Sequence, residues 1–405
     1  MASRSLPFET FDVDNHMYET TDALTKFLPP RYRGAIDYVA VGGRPRLVVK
    51  DHVSHMIPNP TFERVARPGS AEDYFMGKNP EGKSFREFVG KAMDCIPAFQ
   101  APAPRLTLMD ELGIDRCLMF PTLASLIEER TRDDVELTHA VMHALNEWMY
   151  ETWQFDYEER IFATPVITLP IIDKALEELA WCLDRGAKTV LVRPAPVPGL
   201  NGSSRSFGLP EFDPFWHAVV QANIPVSLHA SDSGYQRHLG EWEGGDEYLS
   251  FAASALREIV IGHRPIEDAM GALVCHGTFT RFPDLKVLVV ENGSSFVRPL
   301  IDSLDRAYRI MPNEFGENPV GSFIRNTYVH PFQEDDVLGI VELIGVDHVL
   351  FGSDFPHPEG IGDPLTFIDK LEGLPARDVA AIMGGNLAHL IGLDAPSRIH
   401  SSHST

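Results

Sequence analysis

Cysteine is scarce in this chain: four in 405 residues, Cys95, Cys117, Cys182 and Cys275, with no CxxC pair and no metal-ligand spacing. That excludes a disulfide framework and a cysteine metal site, and it fits reduced thiols in a cytoplasmic enzyme. Positive charge is short as well. Lys and Arg number 35 against 58 Asp and Glu, a formal net charge of −23. So acidic a surface repels phosphate backbones and anionic lipid, which argues against nucleic acid or a membrane as partner. No apolar run reaches the ~18 residues of a membrane span, and the first residues carry no apolar core of a secretory signal. There is no GxSxG elbow, and the Gly42-Gly43 loop matches neither a P-loop nor a dinucleotide fingerprint. What is present is an ordinary globular mix, 44% apolar and 23% charged, with material for a large core and a small-molecule site.

Short β-branched or apolar runs alternate with longer amphipathic stretches. Strands are expected over 11–16, 116–121, 162–169, 189–193, 225–229, 287–291, 327–331 and 348–354. Helices are expected over 133–157, 173–185, 214–223, 266–282, 295–311, 335–344 and 364–393, with Asp133, Asp173 and Asp213 as N-caps and Gly186 and Gly345 as C-caps. Eight strands, most followed by a helix, predict an α/β fold, a (β/α)8 TIM-type barrel. A doubly wound open sheet is the alternative. The barrel is preferred because polar, ligand-type residues recur at strand C-terminal ends, which converge on one mouth only after closure. Residues 17–104 are too long for a βα loop and read as an insertion over that mouth, with a hairpin near 38–50. A second mouth loop is expected at 234–247. The whole of 1–395 is expected to form one domain, followed by a flexible tail, 396–405.

The first chemical signal is Asp12-Val13-Asp14-Asn15-His16. Residues two apart on a strand share a face, so Asp12, Asp14 and His16 point one way, and three buried polar groups need something to satisfy them. A divalent cation would, Zn²⁺ ahead of Mn²⁺ or Fe²⁺. The competing reading has Asp14 capping a turn and His16 as a bonded core histidine. His229 ends the fifth candidate strand, and Asp354 follows the eighth in Gly352-Ser353-Asp354. Taken together, Asp14, His16, His229 and Asp354 make a mononuclear N/O site with room for water.

These residues resemble the amidohydrolase superfamily, in the branch containing aminocarboxymuconate-semialdehyde, γ-resorcylate and 5-carboxyvanillate decarboxylases. The likeness spans about 8–393 and is carried by DVDNH (12–16), RFPDLKVLVVENGSSFV (281–297) and VLFGSDFPHPEG (349–360). It implies metal ligands at Asp14, His16, His229 and Asp354. Candidate strand four, Thr189-Val190-Leu191-Val192-Arg193, has no Lys to bridge two metals, so one ion is expected. Where the branch carries a His after the PDLK stretch, this chain has Glu291. A carboxylate there can move a proton, or else orient a ligand histidine. That departure draws the expectation from decarboxylation toward hydrolysis.

Arg193, His330 and His357 stand at strand ends or just beyond and are candidate substrate contacts; Arg193 could instead neutralise the carboxylates. The helix aromatics Trp148, Tyr150, Trp153, Phe155 and Tyr157 read as packing or as a homodimer contact. The chemistry expected is a metal-dependent hydrolase or non-oxidative carboxy-lyase acting on a small aromatic or ring-cleavage compound. In it Glu291 and Asp354 are catalytic. The alternative is a barrel that kept its fold as a binding or assembly protein.

Overall fold

The computed structural model describes residues 6–199, 202–245 and 254–393. The expected tail, 396–405, lies outside them, as does the end of the expected 234–247 loop. Seven buried parallel strands supply most of a barrel: β1 (Phe11–Met17), β2 (Arg116–Pro121), β3 (Ile161–Ala163), β4 (Val190–Val192), β5 (Val226–His229), β6 (Val287–Val290) and β7 (Thr327–Val329). They pair as β1-β2-β3 and as β4-β5-β6-β7. A bridge between Val166 and Leu191 joins the two sheets on one side. On the other, residues 349–355 occupy the eighth place. Val349 pairs with Val329, the Val13 amide donates to the Phe351 carbonyl (2.9 Å), and the His16 amide donates to that of Phe355 (2.8 Å). The sheet therefore closes on itself, and the fold is a TIM barrel. Strands buried on both faces read as near-continuous apolar runs, which is why Val287-Leu288-Val289-Val290 shows no alternation.

The expected strand over 162–169 is cut to Ile161–Ala163, because Pro165 has no N–H for the ladder and only Val166 pairs beyond it. The helix expected over 133–157 runs Val135–Trp153, and its cap is Asp134, which accepts from the Leu137 amide at 3.0 Å. Asp133 instead meets Lys50 at 2.7 Å. Asp173 and Asp213 lie inside the first turns of Ile172–Leu183 and Asp213–Ala222. The helix expected over 266–282 breaks at Gly277, whose φ is +75°, into Arg264–Cys275 and Thr278–Arg281. The expected 364–393 helix is a series of short helical segments, interrupted after Leu371 and kinked at Gly384. One of them brings Gly384 so near β1 that a Cβ would stand 2.7 Å from the Glu9 carbonyl.

After β1 the chain forms a three-stranded antiparallel sheet, Ile36–Val41, Arg44–Val49 and His52–Ser54. Its turn is Gly42-Gly43, with φ of +58° and +75°, the conformation a two-residue hairpin requires. The strands Arg64–Val65 and Met93–Asp94 then pair, and the helix Pro102–Leu112 leads into β2. Of the helix aromatics, Trp148, Trp153 and Phe155 are buried within the chain, while Tyr150 is exposed.

Candidate metal centre and active site

The C-terminal ends of β1, β5 and β6 and the 349–355 segment converge. His16 Nε2 lies 3.3 Å from Asp14 Oδ1, 3.4 Å from Asp354 Oδ1 and 3.6 Å from Glu291 Oε2. His229 Nε2 lies 3.0 Å from Glu291 Oε2 and 3.5 Å from Asp14 Oδ1. The two Nε2 atoms face each other across 3.1 Å. His330, at the end of β7, brings Nδ1 to 3.3 Å from Asp14 Oδ2, and His357 Nδ1 sits 2.7 Å from Asp354 Oδ1. Of the residues singled out from sequence, Asp14, His16, His229, Glu291, Asp354, His330 and His357 are thus one cluster.

Arg193 is elsewhere. Its guanidinium is buried against Glu129 Oε2 (3.0 Å) and the Asp232 carbonyl (3.1 Å), and it lines neither cavity beside the histidines. Asp12 also departs from the cluster. The pairing of β1 with β2 slips between Asp12 and Asn15, and this bulge breaks the period-two alignment. Asp12 accepts from the Asp14 amide (3.0 Å), Asn15 Nδ2 (2.8 Å) and the Ser353 amide (2.9 Å); burial still lifts its carboxyl to about 6.

The donor set fits a cation. Both carboxylate oxygens of Asp14 are buried without a hydrogen-bond partner. His229 Nδ1 donates to the Ala230 carbonyl at 2.9 Å, which turns Nε2 toward the cluster. Asp14, His16, His229 and Glu291 each bring one ligand atom within 4.8 Å of the others, and so do His16, Glu291, Asp354 and His357. Electrostatics agree. Burial alone would raise Asp14, yet His16, His229 and His330 hold it well below the usual carboxylate range. Burial opposes a charge on His16, but Asp14 and Glu291 outweigh it and raise that imidazole to about 9. Asp354, buried and facing Glu291 and Asp14, is pushed well above the ordinary range. These carboxylates call for positive charge between them, which a divalent ion satisfies.

Glu291 and Asp354 both hold left-handed backbone, φ +52° and +55°. Non-glycine residues there cost of order 1–3 kcal/mol and persist where the surroundings over-determine them. At strand ends, that turn aims each carboxylate into the mouth.

The amidohydrolase family model Amidohydro_2 matches residues 96–393. The chain belongs to the amidohydrolase family. A solved amidohydrolase from Mycobacterium avium subsp. paratuberculosis K-10 superposes with a TM-score of 0.91 at 39% identity, over 96% of this chain and 99% of that one. The 2-amino-3-carboxymuconate-6-semialdehyde decarboxylase of Dictyostelium discoideum is 28% identical over 133 residues, which span 31% of this chain and 36% of that protein. A dihydroxybenzoic acid decarboxylase from Polaromonas sp. JS666, solved with manganese and the inhibitor 2-nitroresorcinol, shares the fold (TM-score 0.57, 17% identity, 97% and 99% of the two chains). As a member of this family the chain is an enzyme. The resemblance carried by the DVDNH and GSDFPH motifs is thereby confirmed at the level of the family.

Some residues that meet this amidohydrolase's site were given no role from the sequence. Glu359 faces both cavities beside the histidines; burial and the neighbouring Glu291 lift its carboxyl to about 8. Thr122, after β2, brings its hydroxyl within 3.2 Å of His357 Nε2 and donates to the Met17 carbonyl. Arg105 is buried between Phe99 and Phe355 and donates to the carbonyls of His16 and Ala98. Glu359 lies inside the VLFGSDFPHPEG stretch, the signal that could have found it, whereas a lone Thr or Arg in a loop or helix carries no periodicity that would mark it. Tertiary contact alone makes them part of the site.

Proposed function

We propose that this amidohydrolase is a metal-dependent, non-oxidative decarboxylase of aromatic or ring-cleavage-derived carboxylates. Asp14, His16, His229 and Asp354 would hold one divalent ion, Zn²⁺ or Mn²⁺ by donor type. The observation that carries this reading is the pair of imidazole Nε2 atoms 3.1 Å apart among three carboxylates. The names of the Dictyostelium and Polaromonas proteins support decarboxylation, and the manganese named with the latter makes Mn²⁺ the first ion to supply. A divalent ion bound here would anchor and polarise the substrate's oxygens.

The chain's own residues do the rest. Decarboxylation replaces the ring carbon–carboxylate bond by a carbon–hydrogen bond: one proton is delivered to that carbon and CO₂ leaves with the carboxyl carbon. Glu291, one-fifth exposed at the cavity junction, is the proton carrier, and water restores its proton. His330 and His357 contact the substrate from either side, and the low-dielectric cavity walls strengthen each polar contact. We further propose that 17–104 is an insertion over the mouth of one domain spanning 1–395, and that the protein works as a homodimer. A second reading is hydrolysis of an ester or amide. It draws on Glu291 itself, since a carboxylate beside a nucleophilic water is a general base.

The test is metal content by ICP-MS on protein purified without added metal or chelator, followed by release of CO₂ from 2,6-dihydroxybenzoate and related aryl acids beside hydrolysis of esters and amides. One equivalent of metal with CO₂ release is the expected result. Ester or amide turnover without CO₂ moves the assignment to hydrolysis. Turnover of neither, with no metal taken up, leaves a binding barrel.

A further inference from the structure

Two cavities meet at the candidate metal centre. One, of about 260 Å³, is the more polar of the two: Ser231, Ser233, Asn292, Gln333 and Arg257 line it with His330 and Asp354, beside an apolar wall that includes Phe75 and Phe332. The other, of about 410 Å³, runs past His16 and His229 between Tyr18, Met56, Ile57, Phe62, Val65 and Val89. They share Phe85, Ala230, Ser231, Glu291 and Glu359. The larger one is in the range that encloses a drug-sized ligand, roughly 300–1,000 Å³, more than one substituted ring needs. Its charged groups are few. Glu291 and Glu359 are at the junction, and Arg64 at the rim turns its guanidinium to Asp94 (3.1 Å) and the Ala92 carbonyl.

One wall of that cavity is a row of neighbouring rings leading out from the metal centre, stacked from His357 outward. His16 and His357 have centroids 4.1 Å apart, His357 and Tyr18 5.8 Å, and Tyr18 and Phe62 4.5 Å with planes only 10° apart. Phe62 holds left-handed backbone, φ +51°, a conformation a bulky residue rarely adopts, and it is this turn that lays its ring on Tyr18. Strained backbone kept for an aromatic wall points to a ligand surface.

We infer that the substrate is a two-part molecule: an acidic head at the junction of the cavities, and an apolar arm, a straight alkyl chain of about five carbons or more or a second ring, along the His357–Tyr18–Phe62 wall. The inference deepens the proposed function and rests on it only for the chemistry of the head. The smaller cavity, with its serines, Asn292 and Gln333, takes the head's hydroxyl and carboxylate oxygens. The apolar arm is held by area alone, each buried methylene tightening binding before ordering costs.

The test is calorimetric titration of the Mn²⁺-loaded enzyme with 2-nitroresorcinol and with 2-nitro-5-pentylresorcinol, neither of which carries a carboxylate to lose. The pentyl compound should bind at least about tenfold more tightly. That gain should vanish in Val89→Trp and, independently, in Ala66→Trp, which fill the arm's space from two different segments. If the parent binds and the pentyl compound binds no better, the arm is overturned while the head chemistry stands. If only the pentyl compound binds, and the tryptophan variants abolish it, the arm stands and the aryl-acid head falls. A gain that survives both tryptophans overturns the assignment to this cavity, and binding of neither compound overturns both proposals.

Discussion

Asp12 ties the first strand to the last segment of the barrel: its Oδ1 accepts from the Ser353 amide at 2.9 Å and its Oδ2 from the Ser353 hydroxyl. The same carboxylate holds the Asp14 amide and Asn15 Nδ2, so one buried group fixes Asp14 on one side and Asp354 on the other. Removing it takes the acceptor from two backbone amides, the Asn15 side-chain amide and the Ser353 hydroxyl. Asp12→Ala is expected to cost about 2–4 kcal/mol of stability and to weaken metal retention, although Asp12 belongs to no ligand group. Chemical denaturation together with metal content checks this; unchanged metal affinity would show that the two loops hold their positions without the tie.

Asp354→Asn and His229→Ala each delete a donor from a shared set. Both should lose the metal and the activity together while the far-UV circular dichroism stays that of the folded barrel, because the strand ladders do not involve these side chains. Glu291→Gln should retain the metal and lose about 10²–10⁴ in turnover if the carboxyl carries the proton. A Gln variant at wild-type rate would make Glu291 an orienting partner of His16 and His229.

Gly352 is a glycine because of what lies beside it. A Cβ there would sit 2.7 Å from the His330 ring and 2.9 Å from Asp14 Cβ. Gly352→Ala must therefore displace the imidazole or the ligand strand, at an expected cost of about 1–3 kcal/mol in stability. Metal affinity should fall with it. Thermal melts with and without added Mn²⁺ separate the two effects; a variant as stable and as metal-binding as the parent would contradict the packing described.

His143 gives a pH signature away from the site. Its Nδ1 lies 2.7 Å from Glu178 Oε2, and that bond raises the imidazole's pKa above its ordinary 6.5. A histidine raised on folding contributes stability that is complete below about 6.5 and is lost as pH climbs through the folded value. The stability difference between the wild type and His143→Gln should then be larger at pH 5.5 than at pH 9. The imidazole is 40% exposed, so solvent screening keeps the difference to a few tenths of a kcal/mol, about 0.5 at most. A difference that grew with pH would reverse the assigned sign.

The barrel was legible because its strands are buried on both faces and end in polar residues. Runs such as Val287–Val290 cannot be exposed, and His229, Glu291 and Asp354 at their ends announce a mouth. Helix limits were less legible. Asp133 and Asp134 are both capping types, and the choice fell to Asp134 because Lys50, distant in sequence, holds its neighbour. The 364–393 stretch reads as one periodic helix, yet Gly373, at φ +98°, and Pro375 interrupt it, and the helical run 376–390 is kinked at Gly384, which lies close to Glu9 and Phe11. Arg193 looked like a mouth residue from its place after β4. Its direction was decided by Glu129, at the end of a helix that no local pattern brings near it.

By itself the sequence determined the residue types of the site and the strands that carry them, since apolar periodicity and strand-end polarity are local properties of the chain. Closure decided the rest. Bringing 349–355 beside β1 set Asp354 against His16, in a site where both carboxylate oxygens of Asp14 are buried without a hydrogen-bond partner. The bulge that turns Asp12 away from Asp14, the ring wall from His357 to Phe62, and the two cavities meeting at Glu359 likewise arise from groups far apart in the chain. Their energies depend on distance in space, which no local pattern of residues encodes.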